Sequence, residues 1–172
     1  TGAAVIFGAT GGVMEAALRT ANDVLTGKDN SEIEFHEVRG TDGIKEATYT
    51  IAGKEIKVCA ASGLKNAQAV MEKVKAGTAD YQFIEIMCCP GGCVTGGGQP
   101  IVKAGVRADV NVSAQRAKAL YTEDAGKARR KSQENEEIKA LYADYLGEIG
   151  GERAHHLLHT HYVARDKYAG IK

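Results

Sequence analysis

Apolar and polar positions divide the chain into a first part that switches between two periodicities and a second part that keeps to one. Ala3-Ala4-Val5-Ile6-Phe7 is an unbroken apolar run, the pattern of a strand buried on both faces. Gly8-Ala9-Thr10-Gly11-Gly12 follows. Val13, Ala16, Ala17 and Leu25 then predict a helix face, so the opening reads as strand, glycine turn and helix. Ile33 to Val38 alternates, as a half-buried strand does. Residues 44–51 and 55–61 predict two more strands joined at Ala52-Gly53-Lys54. Leu64, Ala67, Val70, Met71 and Val74 share one side of a helix predicted over 64–75 and ended by Gly77. Phe83 to Met87 is a further strand.

Beyond Pro100 strand signals fade, and helices are expected at roughly 112–123, 134–146 and 151–166, the last two separated by Gly147, Gly150 and Gly151. The polar run from Glu123 to Glu137 reads as a solvated helix end and connector. Glu15 and Arg19, four apart, read as a surface or local pair. The expected fold is α/β, a mixed sheet with flanking helices followed by a helical C-terminal tail. No linker splits it, so residues 1–172 read as one domain, with an α/β part at 1–111 and the tail at 112–172.

Composition narrows the chemistry. The 172 residues carry 22 Lys plus Arg against 22 Asp plus Glu, and this balance argues against nucleic acid or an anionic membrane surface as partner. No apolar run approaches the ~20 residues of a membrane span. The chain starts at Thr1 with no leader pattern. Of four cysteines, Cys88, Cys89 and Cys93 fall within six residues, which suits a metal or cluster in a reducing compartment better than a disulfide framework.

Those three lie in Glu85-Ile-Met-Cys-Cys-Pro-Gly-Gly-Cys-Val-Thr-Gly-Gly-Gly-Gln-Pro100, where a strand ends and open α/β sheets place their ligands. Thiolates are soft ligands for iron–sulfur clusters and zinc. The glycines let backbone amides approach sulfur. Structural zinc sites favour paired Cys-x-x-Cys knuckles, which are absent here. A cubane cluster needs about four thiolates. Vicinal Cys88 and Cys89 point apart in an extended segment, and Cys59, inside a strand, reads as a small buried hydrophobe. About two ligands remain, half of a cubane's set, so the others are expected from an upstream part of the same polypeptide.

The pattern Glu85-x-Met87-x-Cys89-x-x-Gly92-Cys93-x-x-Gly96-Gly97-Gly98-Gln99-Pro100 resembles the third signature of the iron-only ([FeFe]) hydrogenases. Residues 2–19 are similar to another stretch of the same catalytic domain, as are Val38-Arg39-Gly40, Gly43 to Ala47, Arg130-Lys131-Ser132 with Glu134-Asn135, and Ala154-His155 with Leu158-His159. The resemblance implies an oxidoreductase, a hydrogenase that reversibly reduces protons to H2 at the H-cluster, a [4Fe-4S] cubane joined to a two-iron subsite. By the same resemblance Cys89 and Cys93 are two of the four cubane ligands, with Cys93 bridging to the two-iron unit, while Met87, Phe7 and Val13 pack around that subsite. Cys88 stands where the family has a small residue, and Gln133 where it commonly has histidine. The other two signatures are missing, so this piece alone is expected to be inactive.

The implied partners are the upstream polypeptide and ferredoxin or NAD(P)-linked electron-transfer subunits, in the cytoplasm of an anaerobic bacterium. A sensor or cluster-assembly relative without hydrogenase activity is the alternative, and Met87, Phe7 and Val13 argue against it. The glycine turn at 8–12 lacks Gly-x-Gly-x-x-Gly spacing and does not read as a nucleotide site. His155 and His159 could share a helix face, but a packed terminal helix explains them without a metal.

Overall fold

Thr1 begins the chain as a helix cap. Its side chain accepts a hydrogen bond from the Ala4 amide, and Gly2–Val5 forms a short helix α1 that tightens into a 3-10 turn over Ile6–Gly8. The expected first strand is therefore helical. Burial explains why: Ala3 and Ile6, three apart, are fully buried, whereas Phe7 is 44% exposed. An apolar run of five cannot by itself distinguish a strand from a helix segment. The structure, a computed structural model, describes residues 1–29 and 34–164 and divides into two compact units, 1–134 and 135–172.

In the first unit α2 (Gly12–Thr26) is entered through Gly11, whose φ of 95° suits glycine. A Cβ on Gly12 would overlap the Ile6 carbonyl oxygen, which is backbone and cannot swing aside. Gly12→Ala is expected to cost about 3 kcal/mol by overpacking. Urea unfolding checks this, and a loss below about 1 kcal/mol would show that the turn yields instead. Nor does the described part of the expected strand over Ile33–Val38, residues 34–38, form a strand. Ile33 lies outside the described residues, and His36–Val38 is a 3-10 turn that buries Phe35 and Val38, again three apart.

The sheet has three strands among the described residues, in the order β1 (Ile44–Ile51), β2 (Lys54–Ser62), β3 (Phe83–Met87). β1 and β2 are antiparallel across Ala52 and Gly53, both with positive φ, as a two-residue hairpin turn requires. β2 and β3 are parallel, and α3 (Leu64–Lys75) makes the crossover. Alternate residues of β2 serve opposite faces. Val58 packs with Met14, Leu18, Phe35, Val38 and Ile51, whereas Cys59 and Ala61 pack with Val70 of α3. The mixed sheet flanked by helices agrees with the sequence reading.

After β3 come a 3-10 turn at Cys93–Thr95, α4 (Ala104–Asp109) and α5 (Val112–Ala125), the last capped by Asn111. The run 123–137 is not a solvated connector throughout, and Glu15 and Arg19 are not on the surface. Arg19, Glu15 and Asp124 are all fully buried. Arg19 grips Asp124 with two bonds of 2.8 Å and Glu15 with one of 2.8 Å. Arg130 reaches Asp124 at 2.6 Å and Glu34 at 2.6 Å. Arg39 pairs with Glu34 and, at 2.8 Å through Nε, with Glu15. The six side chains close a ring of alternating charge that ties α2 to the end of α5. Lys131, almost buried, adds a pair with Asp23 at 2.7 Å. Spacing in sequence showed only the Glu15–Arg19 edge of this ring, because every other edge joins residues on separate elements or turns.

In the second unit Asn135 caps α6 (Glu136–Leu141), which continues as a π-helical turn over Tyr142–Leu146. α7 (Glu152–Leu158) ends at His159, earlier than the expected 166, and residues 165–166 lie outside the described ones. His155 stacks on His159 with ring centroids 4.5 Å apart.

Candidate metal centre

β3 ends at Met87, whose carbonyl accepts from the Gly63 amide at 2.8 Å, and the chain turns directly into Cys88. Two earlier segments hold the loop that follows. The Gly91 amide donates to Ser62 Oγ at 3.0 Å at the end of β2. The Gly91 carbonyl accepts from the Thr10 amide at 3.0 Å. Gly92, with φ of 104°, sits so close that a Cβ would lie 2.7 Å from the Gly8 oxygen and the Thr10 nitrogen. No larger residue fits there. The far side of the loop is held by Arg116 of α5, which donates to the carbonyls of Val94 at 2.9 Å and Pro100 at 2.7 Å.

Beneath the loop, Glu85 is buried and inward-facing in β3. Its two oxygens accept from the amides of Gly11 at 2.6 Å and Met14 at 2.7 Å. Lys45 of β1 meets the same turn and donates to the carbonyls of Thr10 at 2.7 Å and Gly40 at 3.0 Å. Burial lowers the pKa of the Lys45 ammonium, an effect that the nearby Glu85 and Asp42 carboxylates partly offset.

All four cysteines are free thiols. Cys59 is fully buried, and burial pushes its thiol up to about 11, so it is a poor thiolate donor, in keeping with its reading as a small hydrophobe. Cys88 and Cys93 are exposed and Cys89 is half-buried. Among the described residues no three His, Cys, Asp or Glu side chains converge as a metal site. The three loop thiols are soft donors of the kind that suits a thiolate-bound cluster and are fewer than the roughly four that a cubane takes. Phe7 and Val13 line one apolar groove along α2, together with Ala17, Ala21, Val24 and Leu25. Met87, half-buried at the end of β3, is not part of that lining.

Sequence reasoning assigned no role to Glu85, Lys45, Ser62 or Arg116. Glu85 and Lys45 did carry a signal: each is a charge on an inward-facing position of a strand, where a satisfied partner is required. Ser62 and Arg116 act on backbone atoms brought near only by the fold, and no local pattern marks them.

Residues 1–97 match the family model described as "Iron only hydrogenase large subunit, C-terminal domain", and residues 110–165 match "Iron hydrogenase small subunit". The chain is 47% identical to the "NADP-reducing hydrogenase subunit HndD" of Solidesulfovibrio fructosivorans, over 97% of its own length and 28% of that protein. It is 34% identical to "Cytosolic iron-sulfur assembly component 3" of Bos taurus, covering 93% of itself and 32% of that protein. A solved structure of a variant of "[FeFe]-hydrogenase HydA1" from Chlamydomonas reinhardtii superposes with a TM-score of 0.70 at 41% identity, covering 92% of this chain and 46% of that one. The chain thus spans less than half of each of these proteins.

Proposed function

Because this chain belongs to the iron-only hydrogenase large-subunit family, we propose that it forms the C-terminal part of a catalytic subunit that interconverts two protons and two electrons with H2. The carrying observation is the loop after β3, which presents Cys89 and Cys93 while backbone contacts hold it against the turn between Phe7 and Val13. The H-cluster, when bound, supplies the redox chemistry of the reaction. Cys89 and Cys93 would hold it as thiolates. Phe7 and Val13 of the α2 groove, with Met87 at the end of β3, would help to exclude water from it, as a dry, shaped pocket protects reactive metal. The remaining thiolates come from polypeptide outside these 172 residues, and so does the contact with a ferredoxin or NAD(P)-linked electron partner. No helix among the described residues is long and apolar enough to cross a membrane, and the proposed location is the cytoplasm of an anaerobic bacterium.

A second reading, a cluster-assembly component, is favoured by one observation: an assembly protein aligns over nearly the same span as the hydrogenase subunit. Anaerobic reconstitution with iron and sulfide separates the two. The 172-residue chain is expected to bind less than one cluster and evolve no H2 from a reduced viologen. The intact protein is expected to bind its cluster and, once matured, to evolve H2. A stoichiometric cluster on the 172 residues alone would show that the ligand set is misread. A loaded, matured intact protein that evolves no H2 would favour the assembly reading.

A further inference from the structure

We infer that Glu85 is a positioning residue of the cysteine loop, a role that rests on the metal-centre reading above. By holding the amides of Gly11 and Met14, it sets the turn between Phe7 and Val13 against the segment that carries Cys89 and Cys93. A carboxylate inside a strand loses its hydration and stays there only if the fold replaces every lost bond. Here each oxygen takes one amide, at 2.6 Å from Gly11 that caps α2 and at 2.7 Å from Met14 in its first turn, where the helix dipole also favours negative charge. Lys45 grips the same turn through the Thr10 carbonyl. The turn is thus held by an anion on its amides and a cation on its carbonyl, each from a different strand.

Coupling to the loop follows from chain geometry. Glu85 stands four residues before Cys89, and part of that interval is ordered strand, so the two Cα atoms lie within about 14 Å along the chain. Beyond the cysteine, the chain returns to the same turn through the bond from the Thr10 amide to Gly91 and the tight approach of Gly92. The stretch 85–92 is therefore fastened to residues 8–14 at both ends, with Cys89 between the fastenings. Releasing the first fastening frees the loop to shift against the groove lined by Phe7 and Val13.

Glutamine at this position has the right shape but one acceptor oxygen, and its amide group meets one of the two N–H groups donor to donor. Aspartate keeps the charge but is one methylene short of spanning both amides. Amide hydrogen exchange and the paramagnetic resonance spectrum of the bound cluster, measured on the intact protein as wild type, Glu85→Gln and Glu85→Asp, test the assignment. Both variants are expected to exchange roughly tenfold faster or more at Gly11 and Met14. Thr10, whose partner is in the cysteine loop, is expected to exchange faster as well, and the cluster spectrum to change shape. Faster exchange at Gly11 and Met14 with Thr10 and the spectrum as in wild type would overturn the inference, leaving Glu85 a helix cap only. If Glu85→Gln fails to fold, Glu85→Asp decides by the same readings. A wild-type protein that binds no iron would defeat the metal-centre reading instead, and exchange at Thr10 would still decide whether Glu85 is coupled to the loop.

Discussion

Cys93→Ser in the intact protein is expected to lower H2 evolution by roughly a hundredfold or more, with loss of cluster iron. Replacing even an outer partner of a metal ligand typically costs about 10–100-fold, and Cys93 is proposed as a direct ligand. Serine keeps the size and offers a harder oxygen in place of a soft sulfur, which suits iron–sulfur chemistry poorly. Cys89→Ser should behave alike, whereas Cys88→Ser should retain iron and most activity, since Cys88 is exposed where Cys89 is half-buried and stands where the family has a small residue. Iron and sulfide content with an H2 assay reads all three. Full iron retention in Cys93→Ser, or equal losses in Cys88→Ser and Cys89→Ser, would refute the ligand assignment.

Asp124→Ala is expected to destabilise the fold by about 3–5 kcal/mol at pH 7, the range for removing one partner of a buried ion pair. Arg19 would lose both of its 2.8 Å bonds to that carboxylate and Arg130 its 2.6 Å bond, inside a region from which Arg19 is wholly excluded from solvent. The same carboxylate dictates an acid response. Burial alone would raise its pKa, but the hydrogen bonds from Arg19 and Arg130 outweigh that and hold it at about 2. An unfolded aspartate titrates near 3.9 (roughly). The folded value is the lower, so the contribution is complete above about pH 4 and is lost as pH falls towards 2; it is on the order of 2 kcal/mol. Denaturant titrations should show wild-type stability dropping through that window and Asp124→Asn dropping less steeply. A wild-type profile no steeper than that of Asp124→Asn, or an Asp124→Ala loss below about 1 kcal/mol, would count against the ring.

What could be read in advance follows the range of the interactions. The hairpin at Ala52-Gly53, the crossover helix at 64–75 and strand Phe83–Met87 rest on turn chemistry and local periodicity, and they stand where expected. Ala3–Phe7 departs from the expected strand because a short apolar run fits either period, and the alternating Ile33–Val38 because Phe35 and Val38 also fit a helical one; burial three residues apart decides for helical turns in the described residues of both. Cys89 and Cys93 stood out through residue type and spacing, and the loop presents both to its surroundings. The fastenings of that loop did not stand out. Glu85 answers to amides more than seventy positions earlier, and Arg116 answers to carbonyls. Contacts of this kind are properties of the folded surface and have no counterpart in a short window of sequence.

The charge ring also has a place in time. Arg19 and Asp124 are 105 positions apart, so loop closure between them must be completed before their attraction contributes anything. A chain emerging from the ribosome has Glu15, Arg19, Glu34 and Arg39 long before Asp124 and Arg130 exist. Until those last two arrive, α2 carries an unfinished circuit of charge that water must solvate. Closure of the circuit thus waits on residues 124–130, and with it the anchoring of α2 to the end of α5.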